Sequence, residues 1–259
     1  TILHLTNQPL WVGQVTQASN GSRVYLSPLE DRPLESELMR FRLIYEGELK
    51  PSGLDPLTGN SDKMAEHKHC IRRQLHPQLR QLWQTNRFLS THTVDDNQYD
   101  AQSSPANNDV DHGKWGPSNV PLVEAVAARY PLFGYRFVPL VTEALSLRCA
   151  LRIVLMRRDD IGSVIQAGDL DNRIKTLIDG LRRPNAPQEI PAANITPSAD
   201  EDPFFALLDD DKLITELTVE TDTLLDEPTG KKASNRWVRA IITVELQPYY
   251  VTTFNLAFA

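Results

Sequence analysis

The chain has no uninterrupted run of about 18 apolar residues, the length a helix needs to cross a bilayer. No transmembrane helix is therefore expected from its 259 residues. No charged, then apolar, then small-residue order of a secretory leader is read at the N-terminus, and a cytoplasmic location is the expectation. Cysteine is scarce. Cys70 and Cys149 alone give no disulfide framework and no thiol pair at zinc spacing. The segment His67-Lys68-His69-Cys70 reads as a polar helix face with one buried thiol. An excess of positive charge is also missing: the formal net charge is −7, which argues against a generic nucleic-acid coat protein. No internal repeat is visible.

The charge that is present is unevenly placed. Residues 40–90 carry nine Lys/Arg against five acids, and residues 184–236 carry twelve acids against four bases. Such a division suits a metal-centred site beside a phosphate-binding surface. An ordinary solvated surface gives the same pattern.

Residues 1–38 read as an N-terminal appendage with a hairpin signal at Asn20-Gly21. Arg40–Glu46 alternates and predicts a strand. Ser61–Trp83 carries an apolar stripe through Met64, Ile71, Leu75, Leu79 and Leu82 and predicts a helix, kinked or split at Pro77. Residues 90–119 read as a polar excursion. Val120–Tyr130 suggests a short helix and Tyr135–Pro139 an extended segment. Leu147–Met156 alternates Cys149, Leu151, Ile153 and Leu155 against Arg148, Ala150 and Arg152, which predicts a half-buried strand. Pro184–Pro203, dense in proline, reads as a linker. Leu213–Thr221 and Trp237–Leu246 predict strands, and the tail Tyr249–Ala259 a further one. The order predicts an α/β (α+β) domain over 39–259: a mixed β-sheet flanked by helices, with insertions near 90–119 and 184–206.

The segment Asp169-Leu170-Asp171-Asn172-Arg173-Ile174-Lys175 opens the informative stretch. Ile174, Leu177, Ile178 and Leu181 stand at helical spacing and form one stripe. Asp171 or Asn172 is a plausible N-cap. Lys175 and Asp179 follow Asp171 at four-residue steps and share its face. If the stretch before the helix is extended, Asp169 and Asp171 point the same way. Two like charges held close call for a cation between them, and a hard divalent ion with oxygen ligands is the natural partner. The second cluster, Asp209-Asp210-Asp211, directly precedes an apolar strand, so one or two of its carboxylates can face the first pair.

DLDNRIKTLIDGL followed by LLDDDKLI resembles the signature of the RusA family of Holliday junction resolvases. The resemblance implies a RusA-like fold and a homodimer. It implies Mg²⁺-dependent hydrolysis of four-way DNA junctions, Mn²⁺ being a possible substitute. It implies Asp169, Asp171 and Asp210 as metal ligands, Asp209 as their companion acid, and Lys175 as the active-site lysine. The acidic triplet leaves Asp211 as an alternative register. Lys68, Arg72, Arg73, Arg173, Arg182 and Arg183 are candidate phosphate contacts. A nuclease of the same fold acting on other branched or linear nucleic acid, and a non-catalytic junction-binding module, are the competing expectations.

Overall fold

The computed structural model describes residues 39–51, 62–94, 119–158, 169–194, 196–225, 236–250, 255 and 258. All of them belong to the compact unit Leu38–Ala259. The appendage at 1–38 with its hairpin signal, most of the 90–119 excursion, and most of the tail lie outside the described residues.

Strict alternation builds the main sheet. Strands β1 (Arg40–Glu48), β9 (Trp237–Pro248), β6 (Leu147–Arg157) and β8 (Ile214–Thr223) lie side by side in that order. β1–β9 and β9–β6 are antiparallel, and β6–β8 is parallel. Leu147, Cys149, Leu151, Ile153 and Leu155 of β6, with Val238, Ala240, Ile242, Val244 and Leu246 of β9, turn one way into the core. Each such leucine, isoleucine or valine contributes about 1.5–3 kcal/mol by leaving water. The opposite face is more polar, with Arg42, Thr243, Arg152 and Thr218 in one cross-strand row.

Helix α1 (Asp62–Thr85) adds Ile71, Leu75, Leu79 and Trp83 to the same core. It runs past Pro77 as one helix, so the chain is not split there. The Cys70 thiol is exposed and the His69 ring is buried. The helical phase thus reverses the expectation that Cys70 is the buried member of that segment. Helix α2 (Arg87–Thr91) is capped by Asn86, whose side chain accepts from the Phe88 and Leu89 amides. A two-stranded ladder, β2 (Thr93–Val94) with β3 (Val120–Pro121), closes the base of the polar excursion and leads into helix α3 (Leu122–Arg129).

A second sheet holds β4 (Pro131–Leu132), β5 (Tyr135–Val141) and β7 (Phe204–Leu208), with β5 and β7 parallel. Helix α4 (Asp169–Leu181) lies in sequence between β6 and β7. Both β5→β6 and β7→β8 pass from the second sheet to the first, so their two bends run together. The Asp209 amide donates to the Val141 carbonyl at 3.0 Å, and Leu147 donates to Thr142 at 3.1 Å.

The stretch expected to be a linker, 184–203, is packed. It contains 3₁₀ turns at Pro187–Glu189, Ala192–Asn194 and Ala199–Glu201. Ile190 joins Tyr135, Phe137 and Phe204 in a small aromatic core. The Tyr135 hydroxyl donates to the Asn194 carbonyl at 2.8 Å, and His76 Nε2 meets the Asp200 carbonyl at 2.9 Å. Together these features make a mixed α+β domain. No described helix is long and apolar enough to cross a membrane.

Candidate functional site

Helix α4 begins at Asp169 itself. Positions 169 and 171 are therefore i and i+2 on a helix, about 200° apart round its axis, and do not share a face. The extended arrangement expected for this pair is replaced by the first helical turn. Leu177 and Leu181 are sealed in the core and Ile174 nearly so. That orientation leaves Asp171, Asn172 and Lys175 exposed. Among the described residues, neither Asp171 nor Lys175 makes a side-chain hydrogen bond or ion pair.

One turn further on the helix becomes structural. Asp179 is buried, with Lys68 Nζ at 2.6 Å and Arg182 Nη2 at 3.8 Å. Arg72 is buried beneath the C-terminal end of α4. Its Nε donates to the Arg182 carbonyl at 2.8 Å and its Nη2 to the Asp179 carbonyl at 2.9 Å. These are last-turn oxygens that the helix leaves without internal donors. The same guanidinium reaches Glu189, carbonyl and carboxylate, at 3.3 Å. Burial pushes the Arg72 guanidinium down to about 10, so it stays charged at neutral pH.

The acidic bend meets this same end of α4. The Arg183 amide donates to the Leu208 carbonyl at 2.9 Å, and Arg183 Nε donates to Asp209 Oδ1 at 2.6 Å. The Arg183 guanidinium lies 4.8 Å above the Tyr130 ring. Burial, then the Asp209 carboxylate, pushes the Tyr130 phenol up to about 12. Asp210 caps the 3₁₀ turn Asp211–Leu213, its side chain accepting from the Lys212 amide at 3.0 Å. That hydrogen bond holds the Asp210 carboxyl below the usual carboxylate range. Lys212 Nζ sits 2.9 Å from Glu143 on the neighbouring bend. Asp211 is exposed.

The two acidic motifs thus meet opposite ends of α4. Asp171 precedes Arg182 by eleven residues, roughly 15 Å of helix at about 1.5 Å per residue, and Asp209 and Asp210 stand beside Arg182 and Arg183. Asp171 and Asp210 have the hard oxygen donors that Mg²⁺ takes. Among the described residues no group of three or more His, Cys, Asp or Glu is arranged to hold a metal.

The residues expected as phosphate contacts have these surroundings within the chain. Lys68 pairs with Asp179, Arg72 caps α4, and Arg73 Nε reaches the buried Glu201 carboxylate at 2.6 Å. Arg182 pairs with Glu189, Arg183 pairs with Asp209, and Arg173 is buried. Arg72, Arg73 and Arg182 hold the 184–203 strap against α1 and α4, and Arg183 holds the acidic bend there, because a buried carboxylate needs a partner. A cavity walled by Trp83 and Phe205 was not foreseen, since its residues come from four separate stretches with no shared spacing.

No protein-family model, no curated protein and no solved structure matches the chain.

Proposed function

We propose that this protein is a divalent-metal-dependent endonuclease acting on branched DNA, with the four-way junction as the expected substrate and Mg²⁺ or Mn²⁺ as the ion. It acts as a homodimer, and each site takes Asp171 and Lys175 from one copy and Asp210 from the other. The observation that carries the reading is the first turn of α4. Asp171 and Lys175, one turn apart, are exposed and make no ion pair among the described residues, whereas Asp179 on the next turn is locked by Lys68. A carboxylate and an ammonium left open together are placed to meet solution species.

Hydrolysis of a phosphodiester needs an attacking water and relief of negative charge on the phosphate, and a metal ion supplies both when bound. Lys175 adds a positive charge beside the scissile phosphate. The separation of Asp171 from Asp210 along α4 is the reason for drawing them from two copies. A two-fold dimer carries two such sites, matching a junction cut on two strands.

Complementation tests the arrangement. D171N and D210N are each expected to be inactive on a synthetic four-way junction. Co-refolded as a mixture, they regain about a quarter of wild-type activity, because half of random dimers are mixed and each of these carries one intact site. A site built within one chain gives no recovery. Junction binding without any Mg²⁺- or Mn²⁺-dependent cutting by the wild-type protein leaves a binding module instead.

A further inference from the structure

A cavity of about 520 Å³ opens between α1, α2, α3 and the strap that leads into β7, within the range of roughly 300–1,000 Å³ usual for small-molecule sites. Its apolar walls are flat: Trp83 and Phe205, with Pro121 and Pro203. Its polar lining is dominated by acceptors. Among the described residues Glu124, Asp200 and Asp202 stand against a single cation, Arg80, so an anionic ligand is disfavoured.

Two of those carboxylates are fixed in advance. Arg136 donates from Nη1 to Glu124 at 2.7 Å and from Nε to Asp202 at 2.9 Å. A carboxylate has about four lone-pair positions, so each keeps room for another donor. Arg80 Nη1 is held by the Asp200 carbonyl at 3.1 Å. Trp83 is 3% exposed, and its Nε1–H has no acceptor among the described residues, an uncommon state for a buried donor. The complement of the lining carboxylates and flat walls is a flat ring with amino donors at its edge.

We infer that this cavity binds an unpaired amino-bearing nucleobase, adenine or cytosine, with its sugar and phosphate left outside the mouth. That the base comes from branched DNA rests on the function proposed above; the capture of a base does not.

The test uses the full-length protein and free nucleosides, so that no cleavage is read. Adenosine, cytidine, uridine and inorganic phosphate are titrated while the Trp83 indole N–H resonance, identified by its loss in W83F, is followed. Adenosine or cytidine shifts it saturably, and uridine, which lacks the amino group, binds about tenfold more weakly, the worth of one hydrogen bond. Phosphate leaves it unmoved. E124Q and D202N weaken binding severalfold. S90W, placed at an exposed lining residue, abolishes binding without altering the thermal transition. No shift with millimolar adenosine and cytidine, equal binding of uridine, or a shift that survives S90W overturns the inference. Nucleoside binding without junction cleavage removes the nuclease reading alone, and cleavage without nucleoside binding removes this pocket alone.

Discussion

The guanidinium of Arg72 and the carbonyl oxygen of Arg182 are 2.8 Å apart although 110 residues separate them in the chain. Through that contact one buried cation, 2% exposed, closes the C-terminal end of α4 and holds the Pro187–Glu189 turn beneath it.

Replacing Arg72 with Met therefore leaves two last-turn carbonyls and the Glu189 carbonyl without their donor, with the Glu189 carboxylate still held by Arg182. The expected loss is about 3–5 kcal/mol, read as a lower urea midpoint. Arg72→Lys recovers only part of it, since an ammonium cannot reach three acceptors in the planar fork arrangement. A variant as stable as wild type would show that the cap contributes nothing.

Gly180 is packed against Ile71. A Cβ built at position 180 comes within 2.5 Å of Ile71 Cγ2, closer than atoms tolerate. In an open helix Gly→Ala gains about 1 kcal/mol. Here the overlap reverses the sign, and Gly180→Ala is expected to cost about 1–3 kcal/mol. Combining it with Ile71→Ala, which opens the space, recovers part of that loss relative to Ile71→Ala alone. Simple additivity of the two changes, measured by denaturant unfolding, argues against the contact.

Three histidines make stability fall in mild acid. Burial pushes His67 and His69 down to about 4 from the ordinary 6.5, and lowers His76 as well. The unfolded chain thus takes up these protons first as pH falls, and the native state is disfavoured. Their contribution is intact above about pH 6.5 and is lost progressively towards pH 4. His76 adds a structural reason: its Nδ1 accepts from the Phe205 amide at 2.9 Å, and a protonated ring cannot accept there. His69→Phe, in a site edged by Tyr135 and Phe204, should flatten the decline in melting temperature between pH 7 and pH 5. An unchanged slope excludes His69 as a contributor.

Asp171→Asn is expected to keep the fold, because the side chain is exposed and unpaired among the described residues. Surface changes of that kind stay within about 0.5 kcal/mol. Junction cleavage should disappear while binding persists or tightens. Lys175→Ala should lower turnover more than binding. Full cleavage by Asp171→Asn removes this carboxylate from the site.

Alternation made the strands legible. Leu147–Met156 and Trp237–Leu246 read directly as β6 and β9, because one face of each is dry. The stripe of Ile174, Leu177, Ile178 and Leu181 likewise marked α4. Its start was harder: Asp and Asn are good caps, and nothing local indicated that the helix continues back to Asp169. The proline-rich stretch 184–203 looked loose because its anchors are non-local. Asn194 and Asp200 are held through their carbonyls, and Glu201 by an arginine 128 residues earlier. The basic residues misled for a related reason. Sequence gives the sign of a charge, and only packing reveals whether Arg72 meets a phosphate or a helix end.

Among the described residues β8 is the last strand of its sheet, and its outer backbone has no partner strand in the sheet order. Such borders invite another strand to zip on, which is how fibrils start. Glu220 on this strand is paired with Arg152 of β6, while Glu216 and Asp222 add negative charge and the strand has no lysine or arginine of its own, so two identical borders repel each other. Copies of the protein that associate are thereby steered to other surfaces, and the sheet ends after its fourth strand.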